Sequence, residues 1–384
     1  GLPALMIQKA LGLGLSGFAL DSACASSLYA IKYACDRLQS KQADAMLAGA
    51  VNCADDLFIH VGFSALQALS KTGQSRPFHR DADGLIPAEG AAMFLLKRLS
   101  DAEIDGDRIL GVIRGIGLCN DGRSRGLLVP SSDGQVRAMK RAYQNSDVRP
   151  QDISYVECHA TGTSVGDSTE VLSMKEIYGK NPVYIASLKS NMGHLITAAG
   201  AAGLLKVLGA FEHEYLPPTL HCDDEIDILK DSAFHLLREG RDWTEPKRAA
   251  VSAFGFGGNN AHLIVSSHRQ FQDDQKSRPQ TSPLPQNTSD NKIAIVGLEI
   301  ATGSAFGKEQ VQKHLEEGLI PNRKMSDIPL QLSGIKFPPN DLKQALPQQN
   351  VVMELARRSI DGLKVQLQRE DTSVWVAMGC DTNV

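Results

Sequence analysis

The stretch HRQFQDDQKSRPQTSPLPQNTSDN, residues 268–291, constrains this chain most, because it is rich in Gln, Ser, Pro and Asp and offers only Phe271 and Leu284 as bulky apolar residues. Such a segment buries too little apolar surface to offset the entropy of ordering it, so 267–291 reads as a disordered linker. The chain of 384 residues therefore divides into a body at 1–266 and a further unit at 292–384. That unit opens with Lys292-Ile293-Ala294-Ile295-Val296-Gly297, a strand ending in a turn.

Within the body, short apolar runs at 45–51, 184–187 and 249–254 alternate with amphipathic helical patterns, which predicts an α/β sandwich. After Cys24, the residues Leu28, Ile31 and Leu38 recur at spacings of three and seven, one face of a helix. Cys24 thus falls just before that helix or within its first turn. A thiol there meets unsatisfied backbone N–H groups and the positive end of the helix dipole, both of which favour the thiolate. Its neighbours Asp21-Ser22-Ala23 and Ala25-Ser26-Ser27 are small enough to admit a substrate. On these grounds alone an inert core cysteine is still the commoner case.

Two segments, Glu157-Cys158-His159-Ala160-Thr161-Gly162-Thr163 and Lys189-Ser190-Asn191-Met192-Gly193-His194, each place a His in a small-residue turn after an expected strand. His159 and His194 are therefore expected to face a cleft, and the other eight histidines to be surface or structural. Cys158 beside His159 lacks a second Cys or His at ligand spacing, so no metal site is expected. Phe254-Gly255-Phe256-Gly257-Gly258-Asn259-Asn260 joins runs at 249–253 and 261–265. Its glycines fit either a loop pressed against a ligand or a plain hairpin.

Other classes are disfavoured. Forty basic against forty-four acidic residues give a net charge of -4 with no basic block, which argues against nucleic acid. Seven scattered cysteines with no CxxC pair suit a reducing cytosol. The apolar opening has no starting Met and carries Lys9 in mid-stretch, unlike an export signal, and no apolar run is long enough to span a bilayer. Gly12-Leu13-Gly14-Leu15-Ser16-Gly17 matches GxGxxG but follows a helical pattern instead of a strand, so it is not read as a dinucleotide site.

Taken in order, DSACASSL, ECHATGT, LKSNMGHLITAAG and AFGFGGNNAH resemble the four active-site signatures of β-ketoacyl synthases, and RPFHRDADGLIPAEGAA also resembles that family, over residues 1 to about 266. The resemblance implies a thiolase-like layered αβαβα sandwich, incomplete at its N-terminus because only 23 residues precede Cys24. It implies that Cys24 takes an acyl group from an acyl carrier protein, with the oxyanion held by the backbone N–H groups of Cys24 and Phe256. His159 and His194 then assist decarboxylation of a malonyl thioester, and Lys189 supports the second His. Thr161, Thr163, Phe254 and Asn259 are implied in binding the pantetheine arm and acyl chain, with Phe256 gating the pocket. No tightly bound cofactor is implied, since phosphopantetheine arrives on the carrier protein.

Two departures stand out: Gly203 occupies a position where many dissociated fatty-acid synthases carry Glu, and His79-Arg80 replaces the more common small or acidic residues. KIAIVGLEIATGSAFGKEQVQKHLEEG resembles the start of a second synthase, which stops at VWVAMGCDTNV before a nucleophile. The pair is similar to the ketosynthase and chain-length-factor tandem of polyunsaturated fatty acid synthases, which implies a dimer or pseudodimer. A thiolase would need a second catalytic Cys where the sequence has GFGG. A non-catalytic chain-length partner would lack the Cys24, His159 and His194 that are present, although that reading could suit 292–384. An inactive truncated segment is the remaining alternative.

Overall fold

The structure, a computed structural model, describes residues 2–53, 59–122, 129–277, 299–302, 305–317, 330–331, 340, 343 and 347–361. Two compact units form, 1–280 and 281–384.

In the first unit, α1 spans Leu2–Leu11, a tight helical turn covers Ala23–Ala25, and α2 follows at Ser26–Gln39. The strands β1 (Ala45–Asn52) and β2 (Gly90–Lys97) pair antiparallel. Then come β3 (Val112–Asn120), α3 (Ser132–Gln144), β4 (Tyr155–Glu157), α4 (Ser164–Tyr178), β5 (Val183–Ala186), α5 (Ala199–His213), β6 (Phe234–Leu236), β7 (Arg248–Phe254) and β8 (Asn259–Ser266). The main sheet runs β3-β8-β7-β4-β5-β6. β8 is antiparallel to β3 and β7, while β7, β4, β5 and β6 are mutually parallel.

The expected runs at 45–51, 184–187, 249–254 and 261–265 all fall on strands, with edges displaced by one or two residues. β7 sits inside the sheet with helices on both faces, so its sequence RAAVSAF is a nearly continuous small and apolar run. Its pleat sends Ala250 to one face with Val156, Ile185, Met139 and Met174. It sends Ala249, Val251 and Ala253 to the other, with Leu28, Ile31, Leu204 and Val207. Fully burying each such aliphatic side chain contributes roughly 1.5–3 kcal/mol. Helices α3 and α4 thus cover one face, α2 and α5 the other, and β1–β2 packs beyond α2 through Ala48, Met46 and Phe94. This is the layered α/β sandwich expected. Val51, Met93 and Leu95 of the small sheet are exposed in the chain as described.

The linker expectation fails over its first part. Residues His268–Lys276 form α6, capped by the Ser267 side chain, which accepts from the Gln270 backbone N–H. Asp274 is paired with Arg114 at 2.8 Å and with Arg248, and the Arg114 guanidinium lies 4.8 Å from the Phe271 ring centroid. Composition misled here because the segment is held by ion pairs to the sheet, with no apolar face of its own. Residues 278–291 lie outside the described residues, as does the strand expected at 292–297.

In the second unit, Ala301–Thr302 pairs antiparallel with Ala305–Phe306, and helices cover Lys308–Glu316 and Pro347–Asp361. Arg357 and Arg358 both donate to the buried Glu354 and hold it down at about 2.

Candidate active site

Cys24 lies in the turn Ala23–Ala25 just ahead of α2, as expected from the spacing of Leu28, Ile31 and Leu38. The turn is tight: Ala23 adopts a positive φ of 49°, a costly conformation for a residue with a Cβ. Local hydrogen bonds hold it. The Ser22 N–H donates to Ser26 Oγ at 2.8 Å, and that hydroxyl donates to the Ala23 carbonyl at 2.7 Å.

The loop between β7 and β8 closes over this turn. A Cβ on Gly255 would lie 2.6 Å from the Ser22 carbonyl oxygen and 3.2 Å from the Cys24 nitrogen, so only glycine permits the approach. The backbone N–H of Phe256 then points at the Cys24 sulfur, as does that of Cys24 itself. The loop is a tight hairpin pressed onto the nucleophile turn, which joins the two readings its sequence allowed. Asn120, the last residue of β3, and Asp121 just after it hold the loop from outside. Asn120 Nδ2 donates to Gly257 O at 3.1 Å and to Asn259 Oδ1 at 3.0 Å, and Asn260 Nδ2 donates to Asp121 Oδ1 at 2.6 Å. Asn259 is therefore occupied in fixing the loop.

His159 and His194 arrive on turns after β4 and β5. His194 Nε2 is 3.0 Å from Cys24 Sγ. The two imidazole rings are 5.4 Å apart and nearly perpendicular, and His159 also stands edge-to-face with Phe254 at 5.9 Å. One ligand atom from each of Cys24, His159 and His194 lies within 4.8 Å of the others. Sequence spacing gave no sign of this grouping because the three residues are remote along the chain.

Electrostatics reverse one expectation. Burial pushes the Cys24 thiol up to about 11, outweighing the lowering influence of the Phe256 N–H, the Lys189 cation and its own N–H. Cys24 therefore rests as a thiol. Burial also holds His159 and His194 well below the usual imidazole range, with Lys189 adding to the effect on both. Lys189 is buried with its Nζ 3.4 Å from the Cys158 carbonyl oxygen. Burial lowers it, against the opposing fields of Glu157 and Glu170.

Several supporting residues escaped the sequence reading. Glu170 of α4 accepts from the backbone N–H groups of His159 at 2.8 Å and Ala160 at 2.7 Å. Asp167, one turn earlier, accepts from Thr161 N at 3.0 Å and Phe78 N at 2.8 Å. Burial pushes Asp167 up to about 6 and Glu170 to about 7. Their signal was two carboxylates spaced three apart at the start of the helix that follows the first His turn. The Thr161 and Thr163 hydroxyls are 3.1 Å apart beside them. Phe256 packs on Phe63 at 5.5 Å between ring centroids.

The segment RPFHRDADGLIPAEG braces the second His: His194 N donates to Ile86 O at 2.7 Å, and Ala88 N donates to His194 O at 3.0 Å. His79 and Arg80 face elsewhere. His79 Nδ1 accepts from Asp81 N, and Arg80 pairs with Asp227 at 2.8 Å. Of the other histidines, His262 is buried between Ser252 and Tyr178, a satisfied structural residue as expected.

Comparison with known proteins gives matches over most of the first unit and into the second. Residues 4–102 match the family described as Beta-ketoacyl synthase, N-terminal domain, residues 110–223 its C-terminal domain, and residues 223–311 the Ketoacyl-synthetase C-terminal extension. Among curated relatives, a component of the polyunsaturated fatty acid synthase of Thraustochytrium sp. is 38% identical over 82% of this chain. A component of the phenolphthiocerol/phthiocerol polyketide synthase of Mycobacterium bovis is 38% identical over 66% of it. The chain spans only 16% and 14% of the lengths of those two proteins. A solved structure titled PfaC Keto synthase-Chain length factor superposes with a TM-score of 0.74 at 41% identity, covering 82% of this chain and 34% of that one. The ketosynthase from module 6 of the bacillaene synthase of Bacillus subtilis 168 gives 0.67 at 35%, covering 69% and 50%.

Proposed function

Because this chain belongs to the β-ketoacyl synthase family, we propose that its first unit catalyses decarboxylative condensation of a malonyl thioester with an acyl chain carried on Cys24. The observation that carries this reading is the 3.0 Å contact between Cys24 Sγ and His194 Nε2, with His159 completing the trio.

In the first half-reaction Cys24 Sγ attacks the acyl-carrier thioester. Its proton passes by way of His194 Nε2 to the departing carrier thiolate. Because the resting thiol is held up by burial and His194 is held neutral, proton transfer becomes favourable only as the oxyanion forms against the N–H groups of Cys24 and Phe256. In the second half-reaction the neutral imidazoles of His159 and His194, the latter now as its Nε2–H tautomer, donate to the malonyl thioester oxygen. The carboxylate leaves as carbon dioxide, and the resulting enolate attacks the acyl carbon on Cys24. The sulfur departs as thiolate and is reprotonated, leaving a β-ketoacyl product on the carrier. Two donors to one oxygen stabilise charge only as it develops, which accelerates the step without tightening ground-state binding.

Lys189 supports both imidazoles through its charge. Thr161 and Thr163 serve the pantetheine arm, and Phe254 with Phe256 lines the acyl pocket. Asn259 acts by fixing the loop. Phosphopantetheine is supplied by the carrier protein, with no tightly bound cofactor in this unit. Residues 292–384 are proposed to begin a second ketosynthase-like unit. The greater reach of the Thraustochytrium and PfaC alignments, 82% of the chain against 69% for the bacillaene ketosynthase, supports a ketosynthase and chain-length-factor tandem acting as a dimer or pseudodimer. Among the described residues no helix is long and apolar enough to cross a membrane, and a cytoplasmic location is proposed.

The test is transfer of a radiolabelled acyl group from carrier thioester to the protein. Label on the wild type and none on Cys24→Ala is the expected result, and equal labelling of both overturns the assignment.

A further inference from the structure

Gly203 is a departure in the sequence that the reaction leaves unexplained, and the structure fills the space beside it with another residue. A Cβ on Gly203 would meet Glu157 Cγ at 3.0 Å and Val251 Cγ1 at 3.2 Å. The space beside α5 is taken by the Glu157 side chain arriving from the end of β4.

Glu157 is buried and fully engaged. Its Oε1 accepts from the Leu188 N–H at 2.6 Å, and its Oε2 accepts from the Tyr155 hydroxyl at 2.6 Å. Lys206 of α5, equally buried, lies 2.8 Å from Oε2, and among the described residues its Nζ has no hydrogen-bond partner beyond this ion pair. Leu188 immediately precedes Lys189, and Glu157 precedes Cys158, whose carbonyl faces the Lys189 Nζ. Glu157 therefore ties together β4, the turn bearing Lys189 and α5. Glu157, Lys189, Gly203 and Ser252 also border a cavity with room for about one water molecule.

We propose that Glu157, held by Lys206 and given room by Gly203, is a positioning residue that keeps the Lys189 cation in place beneath the two histidines. This rests on the ketosynthase reading for its role in turnover, but not for its effect on Cys24. The groups facing Lys189 are Glu157 at the end of β4 and Cys158 just after it, Glu170 and Asp167 from α4, Cys24 from its turn, and His159 and His194. Glu157 supplies the largest of the fields that favour the Lys189 charge. Glu170 is already committed to two backbone N–H groups. Without Glu157, Lys189 gives up its proton at lower pH, and the Cys24 thiolate loses a stabilising charge.

Wild type, Glu157→Gln and the double variant Glu157→Gln/Lys206→Met separate the possibilities. Gln keeps an oxygen for the Leu188 N–H, and Met removes the cation that Gln would leave unpaired, so the double variant is the one expected to melt near wild type. The first measurement needs no substrate: alkylation of Cys24 by iodoacetamide against pH, read on the Cys24 peptide. The curve of both variants is expected to move to higher pH, with alkylation about tenfold slower at about pH 9. The second is decarboxylation of malonyl carrier thioester, whose alkaline limb should move to lower pH with kcat reduced and KM unchanged. A double variant that coincides with wild type in both measurements overturns the proposal and leaves the pair a space-filling element. A wild type that fails to decarboxylate while the alkylation shift is observed counts against the ketosynthase reading and supports the placement of Lys189 by Glu157.

Discussion

Cys24 Sγ and His194 Nε2 stand 3.0 Å apart although 170 residues separate them in the chain. The contact joins a buried thiol to an imidazole that burial keeps neutral. The pair is thus an uncharged hydrogen bond at rest, unlike the thiolate and imidazolium pair of cysteine proteases.

That state has a signature in reactivity. Alkylation of Cys24 should climb about tenfold per pH unit through neutrality and on toward the raised thiol value, with no plateau near pH 7. A plateau there, measured on the Cys24 peptide, would falsify the neutral pair.

Glu170 receives two backbone N–H groups at once, one on each of its oxygens. Glu170→Gln turns one acceptor into a donor and leaves the Ala160 or His159 N–H unpaired, destabilising the fold by about 1–3 kcal/mol. Decarboxylation should fall more than acyl transfer to Cys24, because His159 is displaced while the Cys24–His194 contact is untouched. Denaturant midpoints and the two half-reactions, measured separately, check this.

Gly255→Ala places a methyl 2.6 Å from the Ser22 carbonyl oxygen. The loop must back away, and the Phe256 N–H moves with it. Loss of one oxyanion donor slows acyl transfer by about 10²–10³, and the clash with backbone lowers the melting temperature as well. Normal acylation rates in this variant would remove Phe256 from the oxyanion site.

Asp274 anchors α6 through Arg114, Arg248 and Gln270. Those hydrogen bonds hold its carboxyl far below the ordinary range against the raising effect of burial. A depressed folded value means that the stabilisation is present above the unfolded pKa and is lost only as pH falls through the folded one. Asp274→Asn should therefore weaken the domain by about 1–3 kcal/mol at neutral pH, and its stability curve should be flatter than wild type below about pH 4. Proteolysis within 268–276 should accelerate. Equal resistance of the two proteins to protease would show that α6 is held by other contacts.

Much of the site was legible locally. A Cys ahead of a helical face, two His residues in small-residue turns and a glycine-rich loop each leave a mark within a few positions, because backbone geometry restricts the residues that fit there. The α/β layering was legible for a similar reason, since β7 lies inside the sheet and its run is apolar throughout. α6 was misread because its stability comes from Arg114 and Arg248, far away in the chain. Glu157 was passed over because one acidic residue at a strand end carries no local sign of a Lys partner on α5.

By itself, then, the sequence determined which residues could react and the alternation of strands and helices that would carry them. Only the tertiary structure decided that Cys24 rests as a thiol, that Glu157 fills the room beside Gly203, and that a polar segment folds as a helix. The physical reason is that side-chain identity acts through local backbone and periodicity. Protonation and ion pairing depend on burial and on charges brought together from distant parts of the chain.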